Sequence, residues 1–145
     1  MDKELAVQSL TDTMAKFTAY IGKRLPKDVK SKLIELKTLE TNPLAKSIYD
    51  SMDENQEAAD RLNRPSCQDT GVIQYFVEAG AHFPLLGELQ EILREATEEA
   101  TRTGPLRHNA VETFDEKNGG TNTGTQIPWL DWRIVPEQDT CTIDV

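Results

Sequence analysis

Two rhythms of apolar residues run along this chain. From residue 3 to 21 the apolar positions recur at steps of three and four: Val7, Leu10, Met14, Phe17 and Ile21. That spacing gathers them on one face of a helix. Gly22 suits the position just past a helix end, and Pro26 suits the first turn of the next helix. Val29, Leu33 and Leu36 predict this second, shorter helix, to about Glu40. Thr41-Asn42-Pro43 reads as a cap followed by a first-position proline. A third helix then carries Ala45, Ile48, Tyr49, Met52, Ala59 and Leu62. The apolar stripes are expected to be core, as helix faces normally bury against something. The acidic side chains Asp50, Asp53, Glu54 and Glu57 predict a solvated face on the third helix.

After residue 71 the rhythm changes. Residues 72–77, Val-Ile-Gln-Tyr-Phe-Val, are β-branched and aromatic, which predicts a strand. The run is almost continuously apolar, so burial on both faces is expected, with Gly80 ending it. Phe83-Pro84 opens a fourth helix with Leu85, Leu86, Leu89, Ile92, Leu93, Ala96 and Ala100 inward, stopped by Gly104-Pro105. Residues 106–124 are polar and glycine-rich, without a periodic signal, and loops of that length are usually functional or mobile. Residues 126–135 predict a second strand, 136–139 a turn, and 140–145 a third strand. The order is three helices, strand, helix, long loop, strand, strand. It predicts an α+β fold: N-terminal helices followed by a small mixed sheet with a packed helix.

Charge changes this picture little but narrows the partners. The 145 residues carry 25 acidic against 16 basic side chains, a net charge of −9. Binding to nucleic acid or an anionic membrane surface needs an excess of Lys and Arg, so both are set aside. A small anionic substrate remains open, because one local Arg can hold it. No apolar run is long enough to span a membrane, and Met-Asp-Lys-Glu-Leu lacks the apolar core of a secretion signal. A cytoplasmic, reducing compartment is expected, which argues against a Cys67–Cys141 disulfide.

The candidate chemistry is concentrated in Asn63-Arg64-Pro65-Ser66-Cys67-Gln68-Asp69-Thr70-Gly71. This turn joins the third helix to the first strand. It places a thiol, an amide and a carboxylate side by side where function often sits. Cys67 reads as a nucleophile, a metal or cluster ligand, or a small buried hydrophobe. A nucleophile would want a His base, and His82 and His108 are both distant in sequence. One Cys cannot hold zinc or an iron–sulfur cluster alone, and the chain has no CxxC. Asp69 reads as a turn cap or an acid/base. Arg107 reads as a surface Arg or as a fork for a carboxylate, since a planar guanidinium can bind both oxygens. Cys141 alternates with Ile143 and Val145, which points to core. The loop from Gly119 to Gly124 lacks the Lys of a nucleotide phosphate loop.

Taken together, several stretches resemble one family. They are the Cys67 turn, Phe83-Pro84-Leu85-Leu86-Gly87-Glu88-Leu89, Pro105-Leu106-Arg107-His108-Asn109-Ala110-Val111-Glu112, Asn122-Thr123-Gly124 and Ile127-Pro128-Trp129. They resemble the iron–sulfur hydro-lyases that include class I fumarase, and within them the alpha-type subunits of the tartrate dehydratase branch. The resemblance implies a [4Fe-4S] cluster held by three Cys, with Cys67 as the first metal ligand. It implies that Gln68, Asp69 and Arg107 bind substrate, and that Asp69 is also catalytic. The implied reaction is dehydration of L-tartrate to oxaloacetate, with fumarate–malate hydration as the alternative. The implied partners are a small dicarboxylate and a beta subunit, in a heterotetramer of two alpha and two beta.

Two departures from the family pattern qualify this. Gly119 stands where a hydroxyl residue is usual, and Thr121 where a Lys is frequent, so a looser loop is expected. The other two cluster Cys of the family have no counterpart here, and Cys141 matches neither. Residues 1–145 are therefore expected to be the N-terminal part of the catalytic domain, inactive alone. The competing expectation is a non-catalytic, partner-binding fragment.

Overall fold

The computed structural model describes residues 2–67 and 71–145. Its elements run α1 (Lys3–Ile21), α2 (Lys27–Leu39), α3 (Pro43–Leu62), β1 (Gln74–Gly80), α4 (Leu89–Thr103), β2 (Trp129–Val135) and β3 (Cys141–Asp144). The α+β expectation holds. The sheet order is β2-β1-β3, with β1 parallel to β2 and antiparallel to β3. The mixed sheet arises because α4 crosses between β1 and β2, while a turn returns the chain from β2 to β3.

Caps explain where the helices begin and end. Asp2 accepts from the Glu4 amide at the start of α1, and Asn42 from the Leu44 amide at the start of α3. Asn63 closes α3 in the left-handed region, at φ 50. Asn tolerates that conformation better than most residues.

The core lies between one face of the sheet and the α1–α4 pair. It contains Met14, Ala15, Tyr75, Val77, Ala79, Leu89, Leu93 and Ala96. Cys141, Ile143 and Val145 pack against it, as their alternation predicts. The buried stripe of α1 differs from the expected one. Thr11, Met14, Ala15 and Thr18 face inward, whereas Phe17 is 43% exposed. Close approach explains the shift: a Cβ on Gly104 of the α4 C-terminus would overlap the Ala19 side chain. Small residues fit where two helices come that near, and large ones turn to the sides.

Three other expectations are corrected. β1 is not buried on both faces. Tyr75, Val77 and Ala79 point in, while Gln74, Phe76 and Glu78 point out, because no described element covers the outer face. The fourth helix does not begin at Pro84; residues 84–88 form turns closed by Leu86 N–H to Phe83 O and Glu88 N–H to Leu85 O. The stripes of α2 and α3 are not core either. Val29, Leu36, Ile48, Met52 and Leu62 are exposed, and Ala59 is the one buried residue in the two helices. Lys37 of α2 bridges to Asp50 and Asp53 of α3, and the stripe residues Leu33, Ala45 and Tyr49 are half-buried.

A row of hydroxyls crosses the core. Thr97 Oγ1 donates to Leu93 O at 2.8 Å. Thr97 must then accept from Tyr75 OH at 3.0 Å, and Tyr75 from Thr18 Oγ1 at 3.0 Å. Tyr75 has no solvent exposure, and burial pushes its phenol above the ordinary value of 10 despite these bonds. The unfolded chain ionises this group more easily than the folded one. Stability is therefore expected to fall as pH rises past about 10. Tyr75→Phe keeps the ring but breaks the row. It is expected to cost about 1–2 kcal/mol, read from a urea melt, and to remove this alkaline limb.

Candidate active site

The Cys67 turn is held from two sides. Arg64 N–H donates to Ala59 O at 2.9 Å, folding the chain back over the end of α3. Ser66 N–H donates to Gly22 O at 3.4 Å, and Asn55 Nδ2 to Ser66 O at 2.5 Å. The turn is thereby pinned to the ends of α1 and α3, and the Cys67 thiol is left exposed. Arg107 arrives from the other direction. Gly104-Pro105 stops α4, and the extended chain carries the exposed Arg107 to the same wall.

Cys67 and Arg107 lie where two cavities meet. One, of about 410 Å³, is also lined by Thr18, Ile73, Asn122 and Val145. The other is an open cleft of about 1670 Å³ running under α2 and α3. Lys23, Lys27, Lys30, Arg64 and Arg102 line the cleft against Asp53, Glu57 and Asp60, so it is locally basic in a chain of net charge −9. Such a wall favours anions. Among the described residues Arg107 makes no ion pair, which leaves its fork available. Arg24, by contrast, is paired with Asp60, and the Asp60 hydrogen bond holds its guanidinium pKa above the usual range.

Gln68 and Asp69, the other expected site residues, lie outside the described residues. His108 shares the wall of the larger cleft with Cys67, but no hydrogen bond joins them among the described residues. His82 lies on the turn after β1 and lines neither cavity. Both cysteines are free thiols. Cys141 belongs to the core side of β3, and burial pushes its thiol up, which disfavours the thiolate a metal needs.

No group of three or more His, Cys, Asp or Glu among the described residues could hold a metal. Among the described residues, the thiol at the meeting of the two cavities is the exposed Cys67. It fits the role of one ligand and does not complete a cluster site.

Residue-by-residue reading of the sequence missed the polar frame behind the wall. Asn109 Nδ2 donates to Gly71 O at 2.7 Å, tying the Arg107 segment to the residues that lead into β1. Asn122, buried in the long loop, accepts from the Asn109 amide at 2.7 Å. At Thr121, one of the two departures from the family pattern, the loop is hydrogen-bonded. Thr121 Oγ1 and Thr123 Oγ1 lie 2.9 Å apart, and Thr123 Oγ1 donates to Glu98 on α4 at 2.9 Å. The available signal was an Asn just past a glycine pair, where left-handed backbone is common.

The α+β fold thus brings a thiol and an arginine to one cavity wall. The family model described as fumarate hydratase (fumerase) matches residues 11–145, and the chain belongs to that family. The chain is 54% identical over 144 residues to the L(+)-tartrate dehydratase subunit alpha of Escherichia coli K12, covering 99% of this chain and 48% of that one. It is 33% identical over 112 residues to the putative L(+)-tartrate dehydratase subunit alpha of Methanocaldococcus jannaschii, covering 73% and 38%. The chain thus spans about half the length, or less, of these curated relatives. No helix among the described residues is long and apolar enough to cross a membrane.

Proposed function

We propose that the chain is the N-terminal part of the catalytic domain of an alpha-type hydro-lyase subunit that dehydrates L-tartrate to oxaloacetate and water. The observation that carries this reading is the meeting of Cys67 and Arg107 on one basic-sided cavity wall. The 54% identity to a tartrate dehydratase subunit supports the substrate. Arg107 binds one substrate carboxylate through two parallel N–H···O bonds. Gln68 and Asp69, next to Cys67 in sequence, donate to and accept from the substrate, and Asp69 is the catalytic carboxylate.

Cys67 would supply one thiolate to a [4Fe-4S] cluster, with two further Cys from outside these residues. Such a cluster, when bound, supplies a Lewis-acidic iron. The partner is a beta-type subunit, in an assembly of two alpha and two beta. The enzyme works in the cytoplasm, where thiols stay reduced. These 145 residues alone are inactive, because cluster affinity depends on the whole ligand set. A fumarate–malate hydratase is the second reading, favoured by the description of the matching family model.

Titration with L-tartrate, followed by amide chemical shifts, tests the site. Saturable shifts at Gly71, Arg107 and Asn109, with weaker displacement by fumarate, are expected. Stronger displacement by fumarate would favour the second reading. Shifts confined to other regions would overturn the placement.

A further inference from the structure

One buried side chain organises the segment that carries Arg107. Asn122 is 6% exposed and stands in the left-handed region, at φ 55. Its Oδ1 accepts from the amides of Asn109 at 2.7 Å and Ala110 at 3.4 Å. Its Nδ2 donates to Arg107 O at 2.6 Å and Thr101 Oγ1 at 3.2 Å. A side-chain amide has two acceptor sites and two donor hydrogens, and all four are used here. Three of the four bonds go to backbone at or just after Arg107. The fourth reaches α4, where Thr101 Oγ1 donates to Thr97 O at 2.7 Å and so is free to accept from Asn122.

The frame then continues to the thiol side. Asn109, whose amide Asn122 holds, donates from Nδ2 to Gly71 O. The connection therefore runs from α4 through Asn122 to the backbone of Arg107 and Asn109, and on to Gly71. A buried Asn that merely filled space would spread its bonds over whatever backbone was near. Here they bracket Arg107, the arginine that lines both cavities.

We propose that Asn122 is a positioning residue that holds Arg107 on the cavity wall it shares with Cys67, acting through the backbone of residues 107–110 and the side chain of Asn109. Its consequence for substrate binding rests on the hydro-lyase reading; the clamp itself does not. With the clamp intact, the Arg107 guanidinium adds a fixed positive charge to the wall where the Cys67 thiol is exposed. Without it, the segment after Gly104-Pro105 loses its anchor, and that charge spreads over many positions.

Alkylation of Cys67, read peptide by peptide by mass spectrometry, tests this without any substrate. The ratio of its rates with anionic iodoacetate and neutral iodoacetamide cancels the thiol's own reactivity and reports the local field. Arg107→Ala is expected to lower the ratio by about threefold or more. Asn122→Gly removes the clamp without straining the left-handed backbone. It is expected to lower the ratio to nearly that of Arg107→Ala, with faster hydrogen exchange at the Asn109 and Ala110 amides. Added to Arg107→Ala, it should change the ratio no further.

A wild-type ratio in folded Asn122→Gly, or in Arg107→Ala, overturns the proposal. If Asn122→Gly does not hold its fold, Asn109→Ala carries the test, because it cuts the same connection at the exposed Gly71 link. A lowered ratio there supports the proposal and an unchanged one overturns it. Failure of L-tartrate to bind would count against the hydro-lyase reading alone.

Discussion

Gly80→Ala is expected to destabilise the fold by about 3 kcal/mol and to free β3 from the sheet. A Cβ at Gly80 would overlap the backbone carbonyl of Gln138 and lie 2.9 Å from the Asp139 nitrogen. Neither obstacle is a flexible side chain that could swing away. The same crossing point is fixed by Gly80 N–H to Thr140 O at 2.8 Å and His82 N–H to Gln138 O at 2.9 Å. The turn into β3 therefore cannot retreat without losing hydrogen bonds. Gly80 is not at positive φ, so the cost is steric. Restricting the unfolded chain would return about 0.4–1 kcal/mol, which is too little to offset the clash. Thermal melts should show a midpoint lowered by roughly 10 °C. Gly87→Ala, with nothing within 4 Å of its Cβ, is the control and should be nearly neutral. Because Val145 lines the smaller cavity, Gly80→Ala should also disturb the site wall. A Gly80→Ala protein as stable as wild type would show that the β1–β3 crossing is looser than described.

Arg107→Ala is expected to weaken L-tartrate binding about 100-fold. Two charge-assisted hydrogen bonds to one carboxylate contribute on the order of 3 kcal/mol together. That figure corresponds to a factor of about 100 in affinity. Arg107→Lys keeps the charge but not the planar fork, so a loss nearer tenfold is expected. The side chain is exposed and has no ion-pair partner among the described residues. Its removal should therefore change stability by no more than about 0.5 kcal/mol. Calorimetric titration alongside a urea melt separates the two effects. Equal affinity in wild type and Arg107→Ala would remove Arg107 from the site.

How legible the molecule is in its sequence varies from element to element. Helix α3 announces itself through Asn42-Pro43, because a cap and a first-position proline act locally. The inward set of α4, Leu89 to Ala100, is also local, since one amphipathic face meets one core. The faces of β1 and α3 are less legible. Phe76 and Ile48 look like core residues, yet burial depends on what covers them, and no described element does. The α1 stripe is misread for a related reason. Hydrophobic periodicity weighs Phe17 above Ala15, whereas the close approach of α4 selects small residues.

The site divides in the same way. Cys67 and Arg107 stand out because a thiol or guanidinium in a polar, proline-bearing turn is unusual for core. Asn109 and Asn122 do not, because their roles lie in bonds across 38 and 13 residues of sequence.

A graft offers the sharpest test of the proposed enzyme. These residues would replace the matched 144 residues of the Escherichia coli relative's alpha subunit, co-expressed with that enzyme's remaining components and purified without oxygen. Iron content and oxaloacetate formation from L-tartrate are measured with Cys67 intact and with Cys67→Ser. The hydro-lyase reading predicts that the intact graft binds iron and dehydrates tartrate, and that Cys67→Ser loses most of both. A folded graft whose iron and activity are unchanged by Cys67→Ser would contradict it.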